Sequence, residues 1–287
     1  MKKIVILGCE NSHANHFLKA IKDEYTDLEV IGIYSDEAEA AKKLNEEFGV
    51  PIMNSFDEAA GKIDGVVITA RHGDNHYKYA KPYIESGIPM FIDKPITCNG
   101  EEAVSFMQEL KAAGVKITGG SSLRQAEVIK KLRREREENA GGETLGGFVK
   151  APIQNKSVYG GFYFYAQHLV EMVLEVFGRY PKSVKAFNSK SEQKTVVFRY
   201  EDYDVTALYT ENSYTYHAIR VATEENGGGA VSLDGCFEAE FREFYNILSD
   251  GEQIISYEDF IAPVFVMDAI EESLKSGEEV LVKEYRV

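Results

Sequence analysis

Five short apolar runs mark the first 120 residues: "KIVILG", "LEVIGIYS", "GVVITA", "PMFIDKP" and "VKITGG". Between them lie longer stretches in which apolar and polar positions mix at helical spacing: "HANHFLKAIKDEY", "DEAEAAKKLNEEF", "DNHYKYAKPYIESG" and "GEEAVSFMQELKAAG". Strands that read as continuous apolar runs, with helices between them, predict a parallel sheet covered on both faces. This half of the chain therefore reads as a doubly wound α/β domain. Gly49 ahead of Pro51 and Gly87 ahead of Pro89 mark helix ends leading into strands, because glycine takes the left-handed cap and proline cannot continue the helix.

Past Gly120 the texture changes. A basic helix, "AEVIKKLRREREEN", is followed by the Gly-rich turn "AGGETLGG", a strand "GFVKAPI" and a second helix "FYFYAQHLVEMVLEVFG". From Ser183 to about Gly235 the segments "SVKAFNS", "KTVVFRYE", "DVTALYTE", "YTYHAIRVAT" and "GAVSLDG" alternate apolar with polar residues across polar turns, the pattern of antiparallel strands with one wet face. Helices at "FEAEFREFYNILSDG" and "FIAPVFVMDAIEESLKSG" and a last strand "EEVLVKEY" complete the chain. Two domains are expected: a Rossmann-like parallel sheet over residues 1–120, and over 121–287 an α+β domain with an open, mainly antiparallel sheet. The basic run "KKLRRER" reads as a solvated helix face, since acidic residues follow it at once.

Composition narrows the classes. Of 287 residues, 44% are hydrophobic and 28% charged, the ordinary range of a globular protein. A formal net charge of -15, from 32 basic and 47 acidic residues, argues against nucleic acid as a partner while leaving room for a small anion in a local cationic pocket. Cys9, Cys98 and Cys236 are an odd number with no CxxC pair, which predicts neither a disulfide framework nor a structural zinc site and suits a reducing cytoplasm. The first apolar run is shorter than the roughly 7–15 residues of a signal-peptide core, and none reaches the roughly 18 of a membrane span.

The turn "GCENSH" after the first strand holds the first glycine of a dinucleotide-binding G-x-G-x-x-G, Gly8, but Glu10 and His13 stand where the second and third would be. A helix N-terminus following the turn favours an anion, so Asn11 and Ser12 are candidates either for the cofactor or for a plain helix cap. Asp36, 28 positions after Gly8, is a candidate for the adenine ribose hydroxyls, and it or Ser35 is equally a candidate N-cap.

The order of elements, together with "FIDKP", resembles the glucose-fructose oxidoreductase, inositol dehydrogenase and rhizopine-catabolism (Gfo/Idh/MocA) family of NAD(P)-dependent oxidoreductases. Its E-K-P motif corresponds to Asp93-Lys94-Pro95, where the resemblance implies a bend before the proline and a lysine facing nicotinamide and substrate. "VVITARHGDNHYKYA" is similar to the family's T-P-N-x-x-H segment, with Thr69 retained, Ala70 in place of the proline and His76 closing the loop eighteen positions before Lys94. "GGFYFYAQHLVEMVLEVFGRYPKSVKAF" resembles the family's G-G-x-x-x-D-x-x-x-H-x-x-D helix through Gly160, Gly161, His168, Glu171, Gly178 and Pro181. The resemblance implies Lys94 and His168 as catalytic residues, and Gly8, Asn11, Ser12, Ser35, Asp36, Thr69, His76, Asp93 and Lys94 around NAD, with NADP possible. No arginine follows the second strand to receive a 2′-phosphate, which favours NAD.

One departure bears on chemistry. Phe164 stands where many catalytic members carry an aspartate four residues before the histidine, and Glu171 replaces the second aspartate. Oxidising a secondary alcohol requires a base for the hydroxyl proton and a cation for the developing alkoxide. Lys94 can supply the charge and His168 the base, an unperturbed imidazole titrating near pH 6.5; what the aspartate would do falls to Tyr163, Tyr165 or Gln167, the expected substrate contacts, or to nothing. The implied activity is hydride transfer between nicotinamide and a sugar, polyol or related hydroxy compound in a homo-oligomer, dimer or tetramer, paired through the C-terminal sheet. A binding or regulatory protein that kept the fold and lost the chemistry is the alternative, motivated by Glu10, His13 and Phe164. Glu10, His13, His72 and Asp74 could also converge from neighbouring loops as zinc or manganese ligands, although no metal is assigned.

Overall fold

The computed structural model describes residues 1–189 and 192–287 as two compact units, one of Met1–Gly120, Phe237–Phe260 and Val287, the other of Ser121–Cys236 and Ile261–Arg286. The first unit alternates β1 (Lys2–Leu7), α1 (Ser12–Glu24), β2 (Leu28–Tyr34), α2 (Ala38–Phe48), β3 (Gly65–Ile68), α3 (Asp74–Ile84), β4 (Met90–Asp93), α4 (Gly100–Ala112) and β5 (Ile117–Gly120). Its five strands lie in the order β2-β1-β3-β4-β5, all parallel. The doubly wound pattern is therefore present, and its cause is legible: β3, β4 and β5 are buried along their whole length. Leu7 pairs with Ile68 and Asp93 with Gly120, so the carboxyl ends of β1, β3, β4 and β5 form one edge, and the loops after them leave together. That edge is where ligands bind in open α/β sheets.

The core of this unit joins residues far apart in sequence. Ile4, Ile6, Phe17, Val67 and Phe91 pack with Phe241, Phe244, Ile247 and Leu248. Phe17 meets Phe91 edge-on, ring centroids 4.9 Å apart. Residues Phe237–Phe260 thus belong to the first unit although they follow the second sheet in sequence. Hydrophobic periodicity predicts that this segment is helical but says nothing about which core receives its apolar face.

The second unit opens with a 3-10 turn at Ser122–Gln125 and continues through α5 (Glu127–Glu137), β6 (Thr144–Pro152), α6 (Tyr163–Phe177), β7 (Ser183–Asn188), β8 (Lys194–Arg199), β9 (Asp204–Thr210), β10 (Tyr216–Ala222) and β11 (Gly227–Val231). The chain ends with α7 (Cys236–Leu248), α8 (Tyr257–Ser276) and β12 (Val280–Leu281). Among the described residues seven strands run β11-β10-β6-β9-β8-β7-β12, antiparallel except for the β6/β9 pair. The predicted final strand shrinks to two residues because it finds a partner only at the sheet edge, Val280 against Val184 and Leu281 against Ser183. Part of the predicted turn between β7 and β8, residues 190–191, lies outside the described residues.

Every residue of α6 except Tyr165 is buried, including Glu171 and Glu175. Two buried carboxylates require cations. Arg179 pairs with both, and Arg133 reaches Glu175 at 3.1 Å. The basic run on α5 is therefore not simply a solvated face, because Arg133 compensates a charge in the interior. Among the described residues no helix is long and apolar enough to cross a membrane.

Candidate functional site

In the first unit, β1 ends at Gly8, whose φ of +80° lies in the left-handed region. A Cβ there would stand 2.3 Å from the Ala70 N and Cα, so only glycine lets this turn lie against the loop after β3. Thr69 is fully buried and its Oγ1 donates to the Gly8 carbonyl at 3.1 Å, which places it in the floor of the turn. Asn11 is the cap of α1, its Oδ1 accepting from the His13 amide at 3.3 Å, while Ser12 is exposed at the first helical position.

Glu10 spans three loops. One carboxylate oxygen accepts from Ser35 Oγ at 2.6 Å and the other from the Arg71 amide at 2.9 Å. Ser35 Oγ in turn accepts from the Glu37 amide at 3.1 Å. Glu10 and Arg71 line a cleft of about 490 Å³ together with Asn11, Ser12 and Lys43. At the end of β2, Asp36 accepts from the Tyr34 hydroxyl at 2.7 Å and lies 3.5 Å from Lys78 Nζ. Partial burial pushes the Asp36 carboxyl up, but hydrogen bonds from Tyr34 and Tyr79 and the Lys78 charge outweigh it and hold the group below the ordinary carboxylate range.

Asp93 ends β4 with no exposed surface. Its Oδ2 faces His13 Nδ1 at 2.6 Å and accepts from Asn11 Nδ2 at 2.7 Å, while Oδ1 accepts from the Lys94 amide at 2.7 Å. The residue in the third glycine's place thus reaches the shortened carboxylate of the D-K-P motif. Its ring lies against Phe17 and Phe237, centroids 5.9 and 4.9 Å away. The Lys94–Pro95 peptide is cis. Lys94 is 4% exposed, and burial pulls its ammonium below the ordinary lysine value, with Asp93 and Glu240 working against the drop and Arg71 adding to it. A cation at the end of a buried strand is costly unless carboxylates share its surroundings; Asp93 and Glu240 fill that role.

His76, expected at the cofactor, is fully buried. Its Nε2 faces the Ala70 carbonyl at 2.8 Å and its Nδ1 the Ile96 carbonyl at 3.2 Å, so its ring ties the loop after β3 to the loop after β4. The four metal candidates do not form one group: Glu10 goes to Ser35 and Arg71, and His13 goes to Asp93. His72 and Asp74 remain together, joined by Cys98. Burial, and then the charge of Asp74, push the Cys98 thiol up to about 12.

In the second unit, His168 is 7% exposed and its Nδ1 lies 2.7 Å from Ser121 Oγ. That oxygen also accepts from the Leu123 amide at 3.3 Å. Ser121 directly follows the Gly-Gly end of β5, and nothing in the sequence connects it to a residue 47 positions away. Tyr165 meets the imidazole edge-on at 5.3 Å. The Tyr163 hydroxyl donates to Asp268 at 2.6 Å, a carboxylate to which no sequence motif points. Gln167, expected at substrate, is fully buried with its amide donating to Glu171 at 3.0 Å, so it serves the polar interior of α6. Phe164 is 8% exposed and packs on Tyr159 and Tyr165.

Residues 2–121 match the model of the Gfo/Idh/MocA family, described as an oxidoreductase family with an NAD-binding Rossmann fold. The match spans the parallel sheet of the first unit and the helices between its strands. No curated protein sequence matches the chain. Among solved structures, a myo-inositol dehydrogenase from Corynebacterium glutamicum is 18% identical with a TM-score of 0.86, covering 99% of this chain and 100% of its own. The scyllo-inositol dehydrogenase from Lactobacillus casei with bound NAD(H) and scyllo-inositol is 16% identical with a TM-score of 0.85, covering 98% and 99%. GenD2 from gentamicin A biosynthesis, in complex with NAD, is 14% identical with a TM-score of 0.85, covering 99% and 97%. At these identities the likeness is one of fold, and it extends over both units.

The first unit offers a donor set that fits a dinucleotide. A tight glycine turn precedes the N-terminus of α1, Arg71 and Lys43 line the same cleft as Glu10, and Asp36 presents an acceptor at the end of β2. Glu10 and Asp36 together disfavour an extra 2′-phosphate.

Proposed function

We propose that the chain is an NAD-dependent oxidoreductase that moves hydride between nicotinamide and a polyol, sugar or related hydroxy compound. The observation that carries this reading is Lys94: a buried ammonium held among carboxylates at the carboxyl edge of a parallel sheet, in a domain of an NAD-binding family. NAD supplies the hydride acceptor. Gly8 and the start of α1 hold its diphosphate, and Asp36 accepts from its adenine ribose.

Lys94 steadies negative charge on the substrate oxygen as the carbon loses hydride. His168 takes the hydroxyl proton. When Nδ1–H of His168 donates to Ser121 Oγ, Nε2 carries the lone pair that can accept it, so Ser121 does part of what the missing family aspartate would have done. Tyr163 and Tyr165 are the substrate contacts in this reading. The inositol substrates of the structurally similar dehydrogenases make a cyclic polyol the first class to test.

The apolar residues on one face of the second sheet support a homo-oligomer: Ile219, Val221 and Phe187 are exposed there, with Phe148 opposite Ile219 on the adjoining strand. Three free cysteines fit a reducing cytoplasm. Fluorescence titration with NADH and NADPH, followed by NAD reduction assays over a panel of inositols and sugars, tests the reading. Absence of binding of either nucleotide at millimolar concentration would retire it in favour of a degenerate binding protein. Asp36→Ala is expected to weaken NADH binding about tenfold by removing a charged acceptor; the same titration measures it, and unchanged affinity would leave Asp36 only its bonds to Tyr34 and Lys78.

A further inference from the structure

We propose that the first unit carries a zinc site built from His72, Asp74 and Cys98. His72 and Asp74 bracket the start of α3, and Cys98 lies on the loop that follows Pro95. One donor atom from each, an imidazole nitrogen, a carboxylate oxygen and the thiol sulfur, falls within 4.8 Å of the others. In a tetrahedral zinc site with bonds of about 2.0–2.3 Å, neighbouring donors stand about 3.3–3.8 Å apart. His72 Nδ1 and Asp74 Oδ2 are already at 3.8 Å. Closing the triangle requires only side-chain adjustment of about an ångström.

The loops that carry these groups are positioned independently of any ion. A Cβ on Gly73 would lie 2.9 Å from the Pro95 carbonyl oxygen, 3.0 Å from the Thr97 carbonyl carbon and 3.1 Å from Cys98 Sγ, so glycine at this position is what lets Cys98 approach the pair. His76 ties the same two loops through the Ala70 and Ile96 carbonyls. Rigid support behind the donors is the feature that separates a metal site from a chance cluster. The mix of thiol, imidazole and carboxylate selects zinc over magnesium or calcium, which prefer oxygen alone. Side-chain exposures of 32% for His72 and 56% for Asp74 leave the ion a way in and a fourth position for water. Binding replaces the S–H bond of Cys98 by Zn–S and releases that proton to solvent, while His72 and Asp74 contribute lone pairs. The site does not depend on the oxidoreductase reading, since none of its three donors is used there.

The test uses the full chain, stripped of metal by a chelator and then titrated with Zn²⁺ alone against a chromophoric competitor, with Co²⁺ as the spectroscopic probe. Expected are one equivalent of Zn²⁺ and a thiolate-to-cobalt charge-transfer band accompanied by tetrahedral d–d bands. Cys98→Ser should abolish the charge-transfer band, and His72→Ala and Asp74→Asn should each weaken Zn²⁺ binding about tenfold or more, as loss of a ligand costs at least what loss of its support does. His217→Ala should bind as the wild type does. Thermal unfolding of the metal-free variants guards against misfolding; if Cys98→Ser does not fold, the two exposed ligands decide. A cobalt spectrum without a sulfur band, or Zn²⁺ affinity unchanged in His72→Ala and Asp74→Asn, would overturn the site.

Discussion

Lys94→Met is expected to lower kcat by about a hundredfold or more while leaving NADH affinity little changed, since the ammonium acts on charge that develops only as hydride leaves. The variant also removes the cation whose surroundings Asp93 and Glu240 share, and breaking such a buried arrangement costs about 3 kcal/mol or more. The two effects separate in the double variant Lys94→Met, Glu240→Gln, which should regain much of the lost thermal stability and none of the turnover. If turnover returns with stability, Lys94 is a structural cation. The alkaline limb provides a second readout. Because the folded-state value of Lys94 lies below that of an ordinary lysine, rising pH strips its proton first in the folded protein. Turnover should therefore fall before the ordinary lysine range is reached. Over the same window the unfolded chain binds more protons than the folded one, so this group's contribution to stability rises with pH. Activity and stability should move in opposite directions there, and Lys94→Arg should remove that limb of both curves.

His168→Asn is expected to reduce kcat by about a hundredfold to ten-thousandfold, the range for removal of a positioned proton carrier, and to flatten the pH profile on its acidic side. Asparagine keeps the size and a polar end near Ser121 but cannot accept the proton. Ser121→Ala should cost about tenfold and displace the acidic limb without abolishing it, because the hydroxyl acts on the ring and not on substrate. Comparing kcat profiles of the two variants distinguishes proton transfer from packing. An acidic limb that persists unchanged in His168→Asn would assign the proton to another group, and Tyr163, held by Asp268, would be the next to change.

The legible part of this protein was the part governed by local patterning. Continuous apolar runs identified β1, β3, β4 and β5 as doubly covered strands, and alternation identified β7 to β11 as strands with one wet face. Strand and helix patterning depends on residues within a few positions of one another, where periodicity and steric rules act directly. Lys94 and His168 came instead from the resemblance of "FIDKP" and the Gly-Gly helix to family motifs.

What only the tertiary structure decided were the partners of those groups, because a folded chain brings a side chain against residues that are sequence strangers. His13 looked like a spoiled glycine and a metal candidate; it is the partner of Asp93, 80 positions on. Glu10 stands in place of the second glycine, and its carboxylate is bound by Ser35 and the Arg71 amide. His76 and Gln167 resembled site residues yet face inward, where a buried polar group must find a partner. Ser121 carried no signal at all. Hydrophobic pattern selects the sheet and the edge at which its loops gather, whereas the identity of a hydrogen-bond partner depends on distances that exist only once distant segments have packed.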